Sequence, residues 1–292
     1  MHLGLFLGAF VPPSTPAFLA TAARAAEARG FHSLWVGEHV VLFDEYAKEY
    51  PYATTGAFPV AGEGGMTEPF TTLSYLAGQT SRIRLGTGVC LVPQRNPLYT
   101  AKEVANVDWL SGGRFDFGIG VGWMREEFAA LGVPWERRGA RADEYIELMR
   151  RLWCDPLSSH EGEFWTLPPS RAFPKPVQAP HPPIHVGGES DVAIRRVVRL
   201  GADWLPFNVS PEVLAARRRR LAELLEGTGR SIDDVFVTAS PDRDSARGEL
   251  APAYADAGAD QLLVHLRRRV TTETVEAALD ELADAYGLEP PA

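Results

Sequence analysis

Histidine and glycine residues at the ends of short apolar runs are the residues of this chain whose types and spacing could support chemistry. His39 follows the apolar run 33–36. Histidine exchanges protons near neutral pH, so His39 is the natural proton donor or acceptor. The alternative is a histidine that is only hydrogen-bonded at a strand end. A carboxylate, Glu38, comes from the same strand end.

The glycine-rich stretch LSGGRFDFGIGVGW, residues 110–123, contains a second set of candidates. Gly118, Gly120 and Gly122 occupy every second position, so one side of this strand end has no side chain and leaves room for a planar or phosphorylated ligand. Glycines at a strand end also make tight turns. The spacing is not the G-x-G-x-x-G fingerprint of dinucleotide-binding folds, so only the structural context can indicate binding.

A third candidate is the turn GGES, residues 187–190. Gly187, Gly188 and Ser190 precede a helical segment, and the free N–H groups at the start of a helix favour an anion. The turn therefore predicts a phosphate-binding site. Glu189 opposes this electrostatically unless its side chain points away.

Eight apolar runs of strand length alternate with helical patterns and position these candidates. The strands are predicted at residues 3–7, 33–36, 83–92, 114–118, 184–186, 203–207, 235–239 and 261–266. Eight βα units in 292 residues predict an α/β fold, a closed (β/α)8 TIM barrel that forms a single domain over residues 1–292.

The βα pattern is interrupted after the second strand. Residues 40–66 lack periodicity but are rich in aromatic side chains, among them Tyr46, Tyr50 and Phe58. A segment of this length without periodicity inside a compact domain is typically functional or disordered. Its aromatic content predicts a lid packed over the barrel mouth, and the alternative is a loop that covers ordinary core.

In such a barrel the chemistry lies at the carboxyl ends of the strands. The predicted mouth is rich in glycine and poor in charge, with no H-x-H motif for a metal on the first strand and no strand lysine for a Schiff base. The remaining interpretation is a mouth that binds a planar cofactor. The cofactor would carry out the chemistry, and the protein would supply binding, orientation and a proton. The strand-end residues are Gly8, Glu38, His39, Gly86, Gly88, Cys90, Gly120, Gly122, Trp123, Gly187, Gly188, Glu189, Ser190, Asn208, Ser240, His265 and Arg267.

Composition and charge limit the classes of molecule that this protein is expected to bind. The net charge is −9 and no basic stripe carries interleaved aromatics, so a nucleic acid is not expected. The two cysteines, Cys90 and Cys154, form neither a disulfide framework nor a metal-ligand pattern, which indicates a reducing cytoplasm. No apolar run reaches the ~20 residues that span a membrane. We therefore expect a cytoplasmic protein that acts on a small molecule and contacts no membrane.

Five segments of the sequence resemble the luciferase-like flavin and deazaflavin oxidoreductases, most closely the branch that uses the deazaflavin coenzyme F420. They are SLWVGEH, RIRLGTGVCLVPQRNP, LSGGRFDFGIGVGW, PPIHVGGES and GADW, and they follow the order of the predicted strands. The resemblance covers nearly the whole chain. It implies a (β/α)8 barrel with an insertion, usually a homodimer, that binds F420 or FMN with the ring in the barrel mouth.

The resemblance also implies roles for individual residues. His39 matches the histidine that these enzymes place near the ring. Gly88 and Val89 match the position of a non-prolyl cis peptide behind the ring. The implied contacts with the cofactor ring, tail and phosphate are Gly88, Val89, Cys90, Gly120, Val121, Gly122, Trp123, Gly187, Gly188, Glu189 and Ser190.

The activity implied by the resemblance is F420-dependent hydride transfer to or from an organic substrate, with His39 handling the proton. The alternatives are an FMN-dependent monooxygenase supplied with reduced flavin by a partner reductase, a cofactor-binding protein without turnover, and a flavin-independent barrel hydrolase. The sequence departs from the sugar-phosphate dehydrogenases of the family, because Trp123 replaces a glutamate and Phe43 or a neighbour replaces a tryptophan. Oxidation of a sugar phosphate is therefore not expected.

Overall fold

A computed structural model describes residues 1–8, 10–11, 14–58, 64–242, 248–266 and 270–290. Eight parallel strands form its centre: β1 His2–Phe6, β2 Ser33–Val36, β3 Arg84–Thr87, β4 Phe115–Gly120, β5 Ile184–Gly187, β6 Asp203–Leu205 with its continuation Phe207–Val209, β7 Thr238–Pro241 and β8 Gln261–His265. The helices in these residues are α1 Pro16–Ala28, α2 Pro69–Ala77, α3 Pro97–Ser111, α4 Arg125–Ala130, α5 Arg138–Cys154, α6 Asp191–Leu200, α7 Pro211–Leu225, α8 Ala251–Asp256 and α9 Val275–Ala285.

The strands pair in parallel in the order β6–β5–β4–β3–β2–β1–β8–β7. The two halves of β6 lie at opposite ends of this order, because Asp203–Leu205 pairs with β5 and Phe207–Val209 pairs with β7. A further bridge joins Trp204 to Val237. The sheet is thereby nearly closed into a barrel with helices on its outside, which confirms the predicted fold class.

Capping side chains followed by proline set the start of four helices. A side chain at the residue before the helix accepts a backbone N–H of the first turn, and the proline that follows has no N–H to leave unpaired. The pairs are Thr15 with Pro16, Glu68 with Pro69, Asn96 with Pro97 and Ser210 with Pro211. These local signals fix the direction in which the chain returns to the next strand.

Three element predictions need correction. The third strand, predicted at 83–92, ends at Thr87 and resumes as Cys90–Leu91, since the chain bends at a cis peptide bond between Gly88 and Val89. A β-hairpin of Ser158–Glu161 and Thr166–Ser170 occupies a region where no strand was predicted. The helical pattern that precedes the eighth predicted strand, over residues 245–257, yields only the shorter α8, Ala251–Asp256, and its residues 245–247 lie outside the described residues.

The segment after β2 crosses the mouth of the barrel. Its residues 40–58 and 64–66 are described, and Gly65–Met66 pairs antiparallel with Phe10–Val11 after β1. The ring of Trp35 on β2 lies inside the barrel, and a side chain on Gly86 would come within 2.5 Å of it. None of the described helices is both long and apolar enough to cross a membrane.

Candidate active site

His39 lies immediately beyond β2 and is 9% exposed. Its Nδ1 atom is 3.1 Å from Oε2 of Glu127. The edges of its ring face Phe58 at 4.7 Å and Trp123 at 5.7 Å between ring centroids. The other ring nitrogen, Nε2, lies on the opposite side of the ring from Glu127, and the described residues supply no hydrogen bond to it. His39 is therefore anchored by one nitrogen and has the other available.

Glu127 is the residue of this site that sequence reasoning missed. It lies in the first turn of α4, and its side chain is fully buried. Burial raises the pKa of the Glu127 carboxyl, but the hydrogen bonds that it accepts, above all from His39, outweigh burial and lower the pKa below its usual value. The mouth thus contains an ionised carboxylate, which corrects the expectation of a charge-poor mouth.

An aromatic cluster of Tyr46, Tyr50, Phe58 and Trp123 covers His39. Trp123 lies at its centre, with ring centroids 5.1 Å from Tyr50, 5.7 Å from Phe58 and 6.2 Å from Tyr46. Tyr46 and Tyr50 meet Trp123 edge to face and Phe58 is tilted against it, and rings packed in this way present an apolar surface. Trp123 was predicted as a cofactor contact, and the structure places it against the aromatic residues of the lid segment.

Hydrogen bonds tie the lid segment to both sides of the mouth. On one side the Ala47 N–H donates to Glu126 at 2.7 Å. Within the segment the Phe58 N–H donates to the Tyr46 hydroxyl at 2.9 Å. On the other side the Tyr52 hydroxyl lies 3.4 Å from Glu189, and its ring lies 4.9 Å from Phe207. The described part of residues 40–66 is therefore ordered against the barrel mouth, while residues 59–63 lie outside the described residues.

The bend after β3 contains the cis peptide bond whose position the family resemblance predicted. The peptide bond between Gly88 and Val89 is cis, as predicted. The Gly88 carbonyl oxygen lies 3.3 Å from the point where a Cβ on Gly37 would sit, so the bend packs against the segment that leads to His39. The Val89 side chain projects the other way and fills the space beside Gly120 and Gly187, where added Cβ atoms would come within 2.6 and 2.9 Å of its methyl groups.

The glycines of β4 do not leave the open surface that their spacing predicted. A Cβ on Gly118 would lie 1.9 Å from the Thr87 carbonyl oxygen, and one on Gly122 would lie 2.7 Å from the Phe128 ring. Gly122 also has a positive φ of 78°, which favours glycine. Protein atoms therefore fill the side of these glycines that was assigned to a ligand, and Val121 beside them packs partly against the core.

Cys90 and Glu38 are wrongly placed by the sequence interpretation. Cys90, an implied cofactor contact, is 0% exposed in the core, where burial raises the pKa of its thiol well above the usual value. Glu38 pairs with Arg95 and accepts the Leu91 N–H at 2.6 Å. Both side chains therefore hold β2 and the segment after β3 together, and neither lines the mouth.

The turn 187–190, predicted as a phosphate-binding site, uses part of its backbone for hydrogen bonds within the barrel. The Gly188 N–H donates to the Leu205 carbonyl oxygen, and the Gly188 carbonyl accepts the Trp204 indole N–H. Both backbone groups of Gly188 are therefore used in hydrogen bonds within the barrel. The Ser190 hydroxyl caps α6 by accepting the Ala193 N–H. Arg217 of α7, which was not foreseen, donates to the Glu189 carbonyl oxygen at 2.7 Å and brings a cation to the turn. A Cβ on Gly188 would have no neighbour closer than 3.6 Å, which leaves this part open.

The opposite wall of the mouth is formed by β1 and β6–β8. The His265 ring lies 4.7 Å from Phe6 and 5.9 Å from Phe207, and its Nε2 is 3.0 Å from the Ser240 hydroxyl. Arg267 and its two basic neighbours lie outside the described residues. Among the described residues, no cluster of three or more His, Cys, Asp or Glu side chains could hold a metal ion.

The barrel of eight parallel strands, with its chemistry-bearing residues at the carboxyl ends, places the chain in the TIM-barrel class. Within that class, the chain belongs to the luciferase-like monooxygenase family, whose sequence model matches residues 1–288. This family contains flavin- and F420-dependent oxidoreductases and monooxygenases, so membership supports an oxidoreductase activity.

Individual relatives agree with this family membership. An uncharacterized protein of Mycobacterium tuberculosis is 36% identical over 206 residues, which are 70% of this chain and 72% of that protein. The oxygenase component of a flavin-dependent trigonelline monooxygenase from Acinetobacter baylyi is 33% identical over 165 residues, 56% of this chain and 40% of that protein. The F420-dependent tetrahydromethanopterin reductase of Methanopyrus kandleri has the same fold, with a TM-score of 0.73 at 18% identity over 97% of both chains.

Proposed function

We propose that this protein is an F420-dependent oxidoreductase that exchanges a hydride between the deazaflavin and an organic substrate at the mouth of the barrel. The observation that carries the proposal is His39. The residue is held through Nδ1, its Nε2 is available, and it follows the segment that packs against the cis peptide after β3. A positioned histidine is the commonest group for moving a proton during such a reaction.

The residues present fit a ligand with a planar ring and an anionic tail. The aromatic cluster and the Val89 bend offer apolar surfaces to a ring. The open space beside Gly188 lies at the start of α6, where free N–H groups favour a phosphate, and Arg217, which is paired with Asp191, lies next to it. The chemistry that bound F420 supplies is the acceptance or donation of a hydride. The protein would orient the substrate, exclude water with the lid segment and handle the proton at His39.

The alternative is an FMN-dependent monooxygenase that receives reduced flavin from a partner reductase. Its support is the relative from Acinetobacter baylyi, which is named as the oxygenase component of a flavin-dependent enzyme. This chain covers 40% of that protein, and the five sequence segments quoted above resemble most closely the F420-dependent branch of the family. We therefore place F420 first and the flavin second.

The test is a fluorescence titration of the purified protein with F420 and with FMN separately. Micromolar or tighter binding of F420 with weaker binding of FMN supports hydride transfer and directs the search to reductase and dehydrogenase substrates. The reverse preference supports the monooxygenase, to be assayed with a reductase and oxygen. Binding of neither cofactor contradicts both proposals.

We also propose a homodimer in a reducing cytoplasm. Three large side chains of α3 are exposed, Tyr99 by 73%, Trp109 by 58% and Leu110 by 55%, which is an apolar surface suited to a second copy. Both cysteines are free thiols, as a reducing compartment would keep them. Light scattering of the purified protein measures the mass directly, and a mass of one chain at micromolar concentration contradicts the dimer.

A further inference from the structure

The Glu127 carboxylate accepts hydrogen bonds at both of its oxygen atoms. Oε1 accepts the backbone N–H of Val40 at 2.7 Å and that of Val41 at 3.4 Å. Oε2 lies 3.1 Å from His39 Nδ1 and accepts the side-chain N–H of Gln94 at 3.0 Å. An ionised carboxylate only accepts hydrogen bonds, so the His39 Nδ1 that faces Oε2 serves as a donor.

The orientation of Gln94 supports the ionised form of Glu127. Gln94 is buried, and its amide presents Nε2 to the carboxylate while its own Oε1 has no partner among the described residues. An ionised carboxylate accepts hydrogen bonds and repels a carbonyl oxygen, which favours this orientation although it leaves one polar atom unpaired. Burial raises the pKa of the Glu127 carboxyl, but the hydrogen bond from His39 and then that from Gln94 lower it below its usual value, in agreement with the ionised form.

Donation from Nδ1 fixes the form of the histidine. In a neutral imidazole one nitrogen carries the proton and the other accepts, so a proton on Nδ1 makes Nε2 the acceptor. Nε2 lies on the side of the ring away from Glu127. A base at this position can take a proton from a substrate hydroxyl only if Nε2 is unprotonated.

We infer that Glu127 is the positioning residue of the site, holding His39 in the Nδ1–H tautomer so that Nε2 acts as the proton acceptor. This inference rests on the proposed function for the identity of the reaction, but not for the tautomer. The competing explanation is structural: Glu127 would merely join the segment after β2 to α4 through Val40 and Val41.

The substitution Glu127→Gln separates the two explanations. The new Oε1 still accepts the Val40 N–H, so the connection to the segment after β2 remains. The new amide N–H₂ faces His39 and donates to Nδ1, which forces the proton onto Nε2. Gln94 can rotate and present its unpaired Oε1 to the new amide, so the variant retains the hydrogen bond between positions 94 and 127.

The matched control is Glu144→Gln. Glu144 on α5 is also paired with a histidine, since its Oε1 lies 3.4 Å from Nε2 of His160, and it also accepts backbone N–H groups. The pair joins α5 to the hairpin Ser158–Glu161 and Thr166–Ser170, and neither residue lines the mouth. The same chemical change is therefore made in a pair that takes no part in the reaction.

The first measurement is the ¹⁵N spectrum of histidine side chains in the cofactor-free protein, with the His39 signals assigned by their loss in His39→Ala. At a pH where the ring is neutral, wild type and Glu144→Gln are expected to show the Nδ1–H tautomer of His39, and Glu127→Gln the Nε2–H tautomer. An Nε2–H tautomer in the wild type overturns the inference, and this result does not require Glu127→Gln to fold.

The second measurement is steady-state kinetics once a substrate is identified. Glu127→Gln is expected to lower kcat by about 10²-fold or more with KM within about threefold, because the wrong tautomer impairs proton transfer rather than binding. Glu127→Asp, which retains a carboxylate, is expected to restore most of kcat. An unchanged kcat in Glu127→Gln overturns the inference. If neither F420 nor FMN binds while the tautomers behave as expected, the proposed function fails and the role of Glu127 in holding His39 stands.

Discussion

Among the described residues, two histidine–glutamate pairs look alike but lie in different surroundings. His39 pairs with Glu127 at the mouth, and His160 pairs with Glu144 on the outside of the barrel. In both pairs the glutamate belongs to a helix and also accepts backbone N–H groups of the segment that faces it. Each glutamate thus fixes a stretch of chain and one histidine at the same time.

The difference lies at the second nitrogen of each histidine. Nδ1 of His160 is buried without a partner among the described residues, closed in by the hairpin. Nε2 of His39 belongs to a ring that lies under the aromatic cluster at the carboxyl end of β2. The same kind of pair therefore lies on the outside of the barrel in one place and, in the other, at the mouth where the reaction is proposed.

The largest expected effect comes from deleting each histidine. We expect His39→Ala to lower kcat by about 10²–10⁴-fold, since it removes the group proposed to move the proton. We expect His160→Ala to leave kcat within about threefold while lowering the denaturation midpoint. Steady-state kinetics and denaturant unfolding of both variants make the comparison. A loss of activity in His39→Ala of less than about threefold would remove His39 from the mechanism.

Glycine substitutions probe the packing beside each pair. A Cβ at position 162 would lie 2.2 Å from Glu144 Oε1 and 2.6 Å from His160 Nε2, and one at position 120 would lie 2.6 Å from a Val89 methyl. We expect Gly162→Ala and Gly120→Ala each to destabilise the fold by about 1–3 kcal/mol through overpacking. Only Gly120→Ala should weaken cofactor binding in the fluorescence titration, because it displaces Val89. Equal cofactor affinity in both variants would contradict a role for Val89 in the binding surface.

Acid should weaken the pair at the mouth. The pKa of Glu127 is lowered in the folded protein from the usual 4.5, so its stabilisation is complete above pH 4.5 and is lost as the pH falls through the folded value. We expect the free energy of unfolding of wild type, relative to Glu127→Gln, to be constant from pH 7 to about 4.5 and to decrease below that. Denaturant unfolding at several pH values measures it. A difference that stays constant down to pH 3 would mean that the carboxyl is not stabilised in its ionised form.

The smallest expected effect concerns the lid segment. Tyr46→Phe removes the hydroxyl that accepts the Phe58 N–H, a hydrogen bond worth about 1 kcal/mol. We expect KM to rise about fivefold, with kcat within about twofold, because the lid segment is ordered less often. Tyr145→Phe, on α5 against the ring of Trp165, is the control and should leave KM unchanged. A fall in kcat without a change in KM would contradict a role limited to ordering the lid.

The sequence predicted the barrel because its signals are local. Apolar runs, helix-capping residues and prolines each identify an element, and the motif around Gly88 located the cis peptide bond correctly. The position of His39 in the mouth followed from its place at the end of β2. Its role in the reaction stays a prediction.

The features that could not be predicted from the sequence depend mainly on the direction in which side chains point in the folded protein. Nothing local distinguishes Glu126, which binds the lid segment at the surface, from the fully buried Glu127. The only signal was that both carboxylates start the helix after the β4 glycines. Cys90 was assigned to the mouth because the bend at the cis peptide, which turns its side chain into the core, cannot be followed by counting alternate residues. The hairpin was not predicted, because its second strand, Thr166–Ser170, contains Pro168 and Pro169, and proline is unfavourable within a strand.

Val89 links the side-chain sizes that can be accommodated at three positions that are distant in the sequence. Its two methyl groups occupy the spaces that side chains at positions 120 and 187 would need, so the sizes of the three residues are linked. A larger residue at either glycine requires a smaller one at position 89, and substitutions there should not have additive effects. Gly120 and Gly187 are thus better understood as complements to one valine than as parts of a motif, and a redesign of this part of the mouth must change all three positions together.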